Sequence, residues 1–338
     1  MAIAAQPRRW LEKSPAGWLG LLGALLLASA CSTDTHLSFL DPQGPVAASQ
    51  REHFYWVLGI MAVLVAGPIF LVLPFFAWRY RYGNKAARYT PKWKRSRLLE
   101  VMSWSGPIVI VAVLAVFVWR DSHKLDPYKP LASSHPPLRL QVIGYDWKWL
   151  FIYPDHGIAT VGTMAMPVGR PISMSLTSAT VMQSFFIPAL GSQIYAMGGM
   201  VTQLNLQAAR PGRSLGENTM YNGIGFHQQK FTAVAMSPTE FDTWVQQVRA
   251  TGVPLDARAL KAISRRDTRA RLIADLLPGA SQEDKVYLTG VTPEFFQEVV
   301  RATMNGSPVA LAPASQVTEK SPVIAPSGSA APTAPKQP

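Results

Sequence analysis

Cysteine is almost missing from this chain of 338 residues, since Cys31 is the only one. No disulfide can form within the chain, and no site in it can hold a metal through two thiolates. Cys31 follows a cationic start and a short apolar run, residues 19–28, too short to span a bilayer but typical of a signal-peptide core. We predict a lipoprotein signal peptide over residues 1–30 with lipid attached to Cys31; an ordinary cleaved signal with an incidental cysteine is the alternative.

Acidic residues are missing from residues 79–97, where eight lysines and arginines supply +8 of the formal net charge of +12. A nucleic-acid-binding protein would spread its cations over a folded face interleaved with stacking aromatics. The clustering therefore argues against a nucleic-acid partner, and the rest of the chain is close to electrically balanced.

Charged residues are also missing from two long apolar runs, residues 54–78 and 101–119. Each run is long enough to cross a bilayer, and tryptophans stand near its ends as interfacial anchors do. We predict transmembrane helices over residues 54–78 and 98–120; buried helices of a soluble core are the alternative. Basic loops stay in the cytoplasm, so we expect residues 79–97 inside, with the N-terminal segment 31–53 and the C-terminal part outside.

The pattern changes after the second apolar run. Residues 121–137 are polar and proline-rich and are predicted to be a linker. Short alternating runs over residues 138–236, punctuated by Gly and Pro, predict an all-β sandwich. Ser237, Pro238 and Glu240 then predict a helix start, and helical periodicity predicts a small helical extension over 237–305. The Pro/Ala/Ser-rich residues 306–338 are predicted to be a disordered tail.

This layout and three local motifs resemble subunit II of the haem-copper terminal oxidases, and among these the quinol-oxidising, cytochrome bo type. The resemblance implies a cupredoxin-like sandwich behind a transmembrane hairpin in the bacterial inner membrane, with the sandwich in the periplasm. The motifs are Leu99-Glu100 with Trp104 and Pro107; Thr177-Ser178 through Gln183, Ser184-Phe185, Pro188, Leu190-Gly191 and Ile194; and Asp146-Trp147-Lys148-Trp149 with Ile152-Tyr153-Pro154.

The chain departs from that family where its copper-bearing members hold a dinuclear copper centre. There the resemblance implies two Cys, two His, a Met and a Glu carbonyl as ligands, whereas none of the side chains at the matching positions is a good copper ligand. His227 lies nearby but alone, so we expect it to be no metal ligand. The six positions are Gln183 and Gln229 for the histidines, Tyr221 and Gly225 for the cysteines, Gly223 for the glutamate and Thr232 for the methionine.

The lost ligands, with the resemblance, imply a structural subunit without a cofactor, in a proton-pumping complex that oxidises ubiquinol and reduces oxygen to water. The expected partners are subunit I, which would hold the haems and copper, further membrane subunits and membrane lipid, and cytochrome c is not expected to bind. Two alternatives remain open: a copper-bearing cytochrome c oxidase subunit II, and a free-standing membrane-anchored lipoprotein that binds a periplasmic solute or envelope partner.

Two further sets of residues carry expectations. The resemblance implies that Glu100, at the cytoplasmic start of the second membrane helix, lies at a proton-uptake entrance into subunit I; a carboxylate favoured by the helix N-terminus and nearby Arg97 is the alternative. An aromatic strand alternates at period two, which predicts a half-buried strand. Without copper we expect its aromatics to serve the sandwich core or an interface. Its members are Trp147, Trp149, Phe151 and Tyr153.

Overall fold

A computed structural model of the chain describes residues 40–84, 86, 95–281, 285–307 and 309. The predicted signal peptide, Cys31, about half of the basic loop and nearly all of the predicted tail lie outside the described residues.

Two long helical segments precede the sandwich. The first consists of α1 (Pro45–Met61), a π-helical turn (Ala62–Ala66) and α2 (Gly67–Arg79), and the second is α3 (Arg97–Lys124). Both are long and apolar enough to cross a membrane.

The π-helical turn in the first segment directly precedes Pro68. The Gly67 N–H donates to the Ala62 carbonyl, five residues back, at the end of this turn. Proline has no N–H and its ring clashes with the carbonyl four residues earlier, so the widened turn lets the helix continue through Pro68.

The first helix begins earlier than predicted. Residues 45–53 were expected in an external segment, but they form its first turns. Pro45 at the first turn favours a start there, and Ala47 is buried against the sandwich beside Gly191. The second helix likewise runs to Lys124, so the predicted linker begins with helical residues. Near the outer ends of the two helices, His53 pairs with Asp121.

The sandwich contains two mixed sheets. The strands are β1 (Leu138–Tyr145), β2 (Lys148–Tyr153), β3 (Ile158–Val161), β4 (Thr163–Pro167), β5 (Ile172–Ser178), β6 (Gln183–Ile187), β7 (Gly191–Ala196), β8 (Thr202–Leu206), β9 (Gly212–Asn218), β10 (Lys230–Met236), β11 (Val253–Pro254) and β12 (Val286–Thr289). One sheet has the strand order β11-β12-β3-β2-β1-β5-β8 and the other β4-β10-β9-β6-β7, with β1 parallel to β5 and β10 parallel to β4.

Strand β2 is buried on both faces, whereas the alternation of its aromatics predicted a half-buried strand. Trp149 and Phe151 point between the sheets, where Phe185 and Phe231 stack with ring centroids 5.0 Å apart. Leu150 and its neighbours on the opposite face pack against the C-terminal extension. The prediction was wrong because the extension covers the face that the alternation assigned to solvent.

The C-terminal extension is also more than helical. Its helices are α4 (Pro238–Thr251), α5 (Ala257–Ser264), α6 (Arg269–Leu276) and α7 (Phe295–Met304). Two short strands, β11 and β12, interrupt them and extend the larger sheet beyond β3. The extension is therefore part of the sandwich, and the predicted boundary at residue 237 does not divide two separate cores.

Candidate functional site

The two glutamines at the predicted histidine positions meet at one end of the sandwich. Gln183 opens β6 and Gln229 directly precedes β10, and both side chains are fully buried. The Gln229 Nε2 amide donates to Gln183 Oε1, and both amide nitrogens also lie within hydrogen-bond distance of the Tyr145 carbonyl. The fold thus brings these two positions together, as a shared site requires.

Two asparagines complete what we call the amide network, Gln183, Gln229, Asn218 and Asn222. Gln229 Oε1 accepts from Asn218 Nδ2 at 3.0 Å and from Asn222 Nδ2 at 2.7 Å. Buried amides are costly unless hydrogen-bonded, and here they bond one another. Sequence reasoning missed Asn218 and Asn222, because neither stands at a ligand position and their roles depend on contacts across strands.

Trp147 occupies the space beside the predicted cysteine position Gly225. A Cβ at residue 225 would overlap the indole ring, and Trp147 itself has φ of +63°, a left-handed conformation uncommon for residues other than glycine. A cysteine at 225 therefore has no room while the indole keeps this position.

The remaining predicted positions differ in exposure and backbone conformation. Tyr221 is 74% exposed, whereas Thr232 lies within β10, paired with Thr163 of β4. Gly223 has φ of +121°, in the region that favours glycine. His227 is exposed and contacts Gln228. In the described part of the chain no three His, Cys, Asp or Glu side chains form a cluster able to hold a metal ion.

The residues present do not fit the dinuclear copper centre that the fold family implies. That centre needs soft thiolate and imidazole ligands. The two positions that meet carry amides already bonded to each other, and the indole of Trp147 fills the space at a third. We therefore derive no electron transfer through copper in this chain.

The extension reaches this end of the sandwich through the loop between α5 and α6. The Arg266 guanidinium lies 5.6 Å from the Trp147 ring centroid and 3.7 Å from the Asp146 carboxylate. Lys148 Nζ donates to the carbonyls of Asp146, Arg265 and Asp267 at 3.2, 2.8 and 2.6 Å. These contacts fix the extension to the β1–β2 turn.

Lys148 is only 2% exposed, and burial lowers its pKa to about 8. Sequence reasoning quoted Lys148 only as part of a motif. The sequence signal for its role was a lysine within an aromatic strand, because a charged group buried there needs hydrogen-bond acceptors.

The aromatic strand contributes to the core as expected. Trp149 packs edge-on against Phe185 with centroids 5.2 Å apart. The Tyr153 hydroxyl donates to the Ala165 carbonyl and accepts from the Ala165 N–H. Trp147 differs from the other three aromatics because it lies at the sandwich end, over Gly225.

Glu100 lies apart from the amide network, in the first turn of α3. Its carboxylate forms a two-point ion pair with Arg95, at 2.7 Å to Nε and 2.9 Å to Nη2, and both side chains are exposed. Ser96 caps the helix start, accepting from the Leu99 N–H. The cation that pairs with Glu100 is Arg95, whereas the alternative explanation had named Arg97 as the nearby cation.

Comparison with known proteins agrees with this architecture. The family model "Cytochrome C oxidase subunit II, periplasmic domain" matches residues 158–234. "Ubiquinol oxidase subunit 2" of Acetobacter aceti is 42% identical over 290 residues, 85% of this chain and 88% of that protein. The chain belongs to the ubiquinol oxidase subunit 2 family.

A second relative and a solved structure are also similar to this chain. "Cytochrome bo(3) ubiquinol oxidase subunit 2" of Pseudomonas putida is 44% identical over 249 residues, covering 74% of this chain and 77% of that subunit 2. The periplasmic domain of subunit II of cytochrome oxidase of Bradyrhizobium japonicum is 23% identical, covers 35% of this chain and 98% of that domain, and gives a TM-score of 0.34. Membership in the ubiquinol oxidase subunit 2 family thus rests on the sequence relatives.

Proposed function

We propose that this chain is the second, cofactor-free subunit of a proton-pumping ubiquinol oxidase, and that the haems and copper of the complex belong to subunit I. Named quinol oxidase relatives support the complex, and the Gln183–Gln229 hydrogen bond supports the lack of a cofactor. The chain then does no redox chemistry alone but is required by an enzyme complex that reduces oxygen to water.

The electron donor of the complex is inferred from the same pair of glutamines. A subunit without a copper centre has no port for cytochrome c, so ubiquinol must deliver its electrons directly to subunit I. The sandwich would then stabilise the outer face of subunit I and take no part in electron transfer.

The surface that faces subunit I is proposed to be the loop end of the sandwich, around the amide network. Exposed apolar side chains that lie together are typical of protein interfaces, and several large ones lie in the loops at this end or at the end of α7. They are Val181, Met182, Met200, Val201, Tyr221 and Ile224 in the loops and Met304 in α7.

The proposal is tested by purifying the complex in mild detergent. We expect bound haem, oxygen uptake driven by ubiquinol but not by reduced cytochrome c, and no copper in subunit 2 after it is separated from subunit I. Stoichiometric copper with a purple thiolate chromophore in the separated subunit would favour the copper-bearing alternative. Purification of the chain alone, without haem, would favour the free-standing lipoprotein.

We further propose that Glu100 lies at a proton-uptake entrance on the cytoplasmic side. Its exposed carboxylate, held by Arg95, supports this position. We expect Glu100→Gln to slow proton uptake and turnover by the assembled oxidase, with quinol binding unchanged.

Arg95→Gln is the matched control for Glu100, because it breaks the same ion pair and keeps the carboxylate. We expect it to leave proton uptake near the parent value. Equal slowing by both variants would show that the ion pair, and not the carboxylate, matters.

The membrane attachment completes the proposal. The two candidate membrane helices and the family of the sandwich support a membrane-anchored protein with a periplasmic domain. We propose the bacterial inner membrane as the location, with a lipid on Cys31. Mass spectrometry of the mature N-terminus tests the lipid directly, and an unmodified cysteine there would refute it.

A further inference from the structure

A cleft of about 630 Å³ opens between the sandwich and the C-terminal extension. Tyr145 and Ala179 line it on the sandwich side, Leu260 and Lys261 of α5 line a second side, and Ala302 of α7 a third. The proposed contact with subunit I, at the loop end of the sandwich, does not fill this cleft. The turn that contains Ala179 connects the cleft lining to the loop end.

One residue of the cleft lining, Tyr145, is a buried tyrosine. The side chain is 2% exposed, and its hydroxyl has no hydrogen-bond partner among the residues that the structure describes. Buried hydroxyls are normally paired, so Tyr145 is an unusual member of the cleft lining.

The chain itself leads into the cleft. Gly306, Ser307 and Val309 line its rim, and Val309 packs against the core cluster that the extension shares with the sandwich. Residues from 306 onward were predicted to be disordered, so the packing of Val309 departs from that prediction. The next large apolar residue is Leu311, which in an extended chain points to the same side as Val309.

We propose that the cleft is the docking groove of the chain's own tail, residues 310–317, with Leu311 seated in it. Eight extended residues reach roughly 26 Å beyond Val309. Alternation along the segment directs residues 309, 311 and 313 to the groove. This inference is independent of the proposed function.

Hydrogen exchange on the full-length protein tests the proposal, both in the assembled oxidase and after subunit I is removed. We compare the parent with Leu311→Asp and with the matched control Val323→Asp, which introduces the same charge farther along the tail. We expect Leu311→Asp to speed exchange at residues 302–307 by about tenfold, because an aspartate cannot replace the buried leucine. Val323→Asp should leave exchange unchanged.

Two further measurements keep the test decisive. A chain that ends at residue 309 should show the same fast exchange as Leu311→Asp, and one that ends at residue 317 should match the parent. Identical exchange in the parent and the Leu311→Asp variant would overturn the proposal. Protection that vanishes when subunit I is removed, whatever stands at residue 311, would also overturn it and assign the cleft to a segment of subunit I.

Discussion

At the scale of single residues, an amide network occupies the two positions that the resemblance assigned to copper-binding histidines. Gln183 and Gln229 bond each other, Gln229 Oε1 also accepts from Asn218 and Asn222, and both amide nitrogens lie within hydrogen-bond distance of the Tyr145 carbonyl. The sequence alone predicted that copper ligands were missing. It could not predict the network, because its bonds join residues up to 46 positions apart and none of them carries a local pattern.

We expect Gln229→Met to destabilise the chain by about 1–3 kcal/mol, because a thioether of similar volume leaves the buried asparagine donors and Gln183 without their partner. Thermal and denaturant unfolding of the full-length protein in detergent measures the change. The matched control is Gln228→Met at the exposed neighbour, which should stay within about 0.5 kcal/mol of the parent. Equal stability of the two variants would show that the network contributes nothing.

Lys148 gives a prediction in pH. Its pKa is lowered by burial from 10.5 to about 8, so between these values the unfolded chain binds a proton that the folded chain does not. The contribution of Lys148 to stability therefore rises from pH 8 to 10.5, by up to about 1.4 kcal/mol per pH unit, and its penalty is complete below pH 8.

The measurement compares the pH dependence of unfolding for the parent and for Lys148→Met. The difference in unfolding free energy between them should grow in the parent's favour across this window, since methionine does not titrate. Parallel curves would contradict a lowered pKa for this lysine.

At the scale of elements, local sequence patterns predicted the features that neighbouring residues determine, such as the start of a helix. They failed for features that distant residues determine, such as the burial of a strand face. The capping residues Ser237 and Glu240 predicted the start of α4, and both arms of the capping box form. The alternation of β2 was recognised, but its second face is covered by helices more than a hundred residues later. Strands β11 and β12 have two and four residues, too few for a period to emerge.

We expect Ser237→Ala to cost about 1 kcal/mol, because it removes the hydroxyl that accepts from the Glu240 N–H at the start of α4. Thr243→Ala, at an exposed position within the same helix, is the control and should change stability by less than about 0.5 kcal/mol. Unfolding midpoints of both variants against the parent measure the difference. A neutral Ser237→Ala would mean that packing of Phe241 and Trp244 alone fixes the helix start.

At the scale of the whole molecule, the chain joins a membrane hairpin to a sandwich whose loop end carries apolar side chains. The long uncharged runs were sufficient to predict the hairpin, since bilayer thickness sets their length. The apolar loop end could not be predicted, because its residues come from separate loops that only the folded sandwich assembles.

We expect Ile224→Asp to reduce co-purification of subunit I and haem with this chain, because Ile224 is 88% exposed and a carboxylate there opposes burial in an interface. Arg213→Asp introduces the same side chain near the start of β9, toward the opposite end of that strand, and should leave assembly unchanged. The measurement is the haem content per subunit 2 after affinity purification. Equal haem content in the two variants would exclude the loop end as the contact with subunit I.

The order of strands in the larger sheet has a kinetic consequence. Strand β3 is an inner strand only because β12, more than 120 residues later, pairs with it. During export the N-terminal strands emerge first and expose a bare hydrogen-bonding edge until nearly the whole chain has been translocated. Chains released early during synthesis are therefore the forms most prone to aggregate or to be degraded, and export must finish before this subunit can reach its native state.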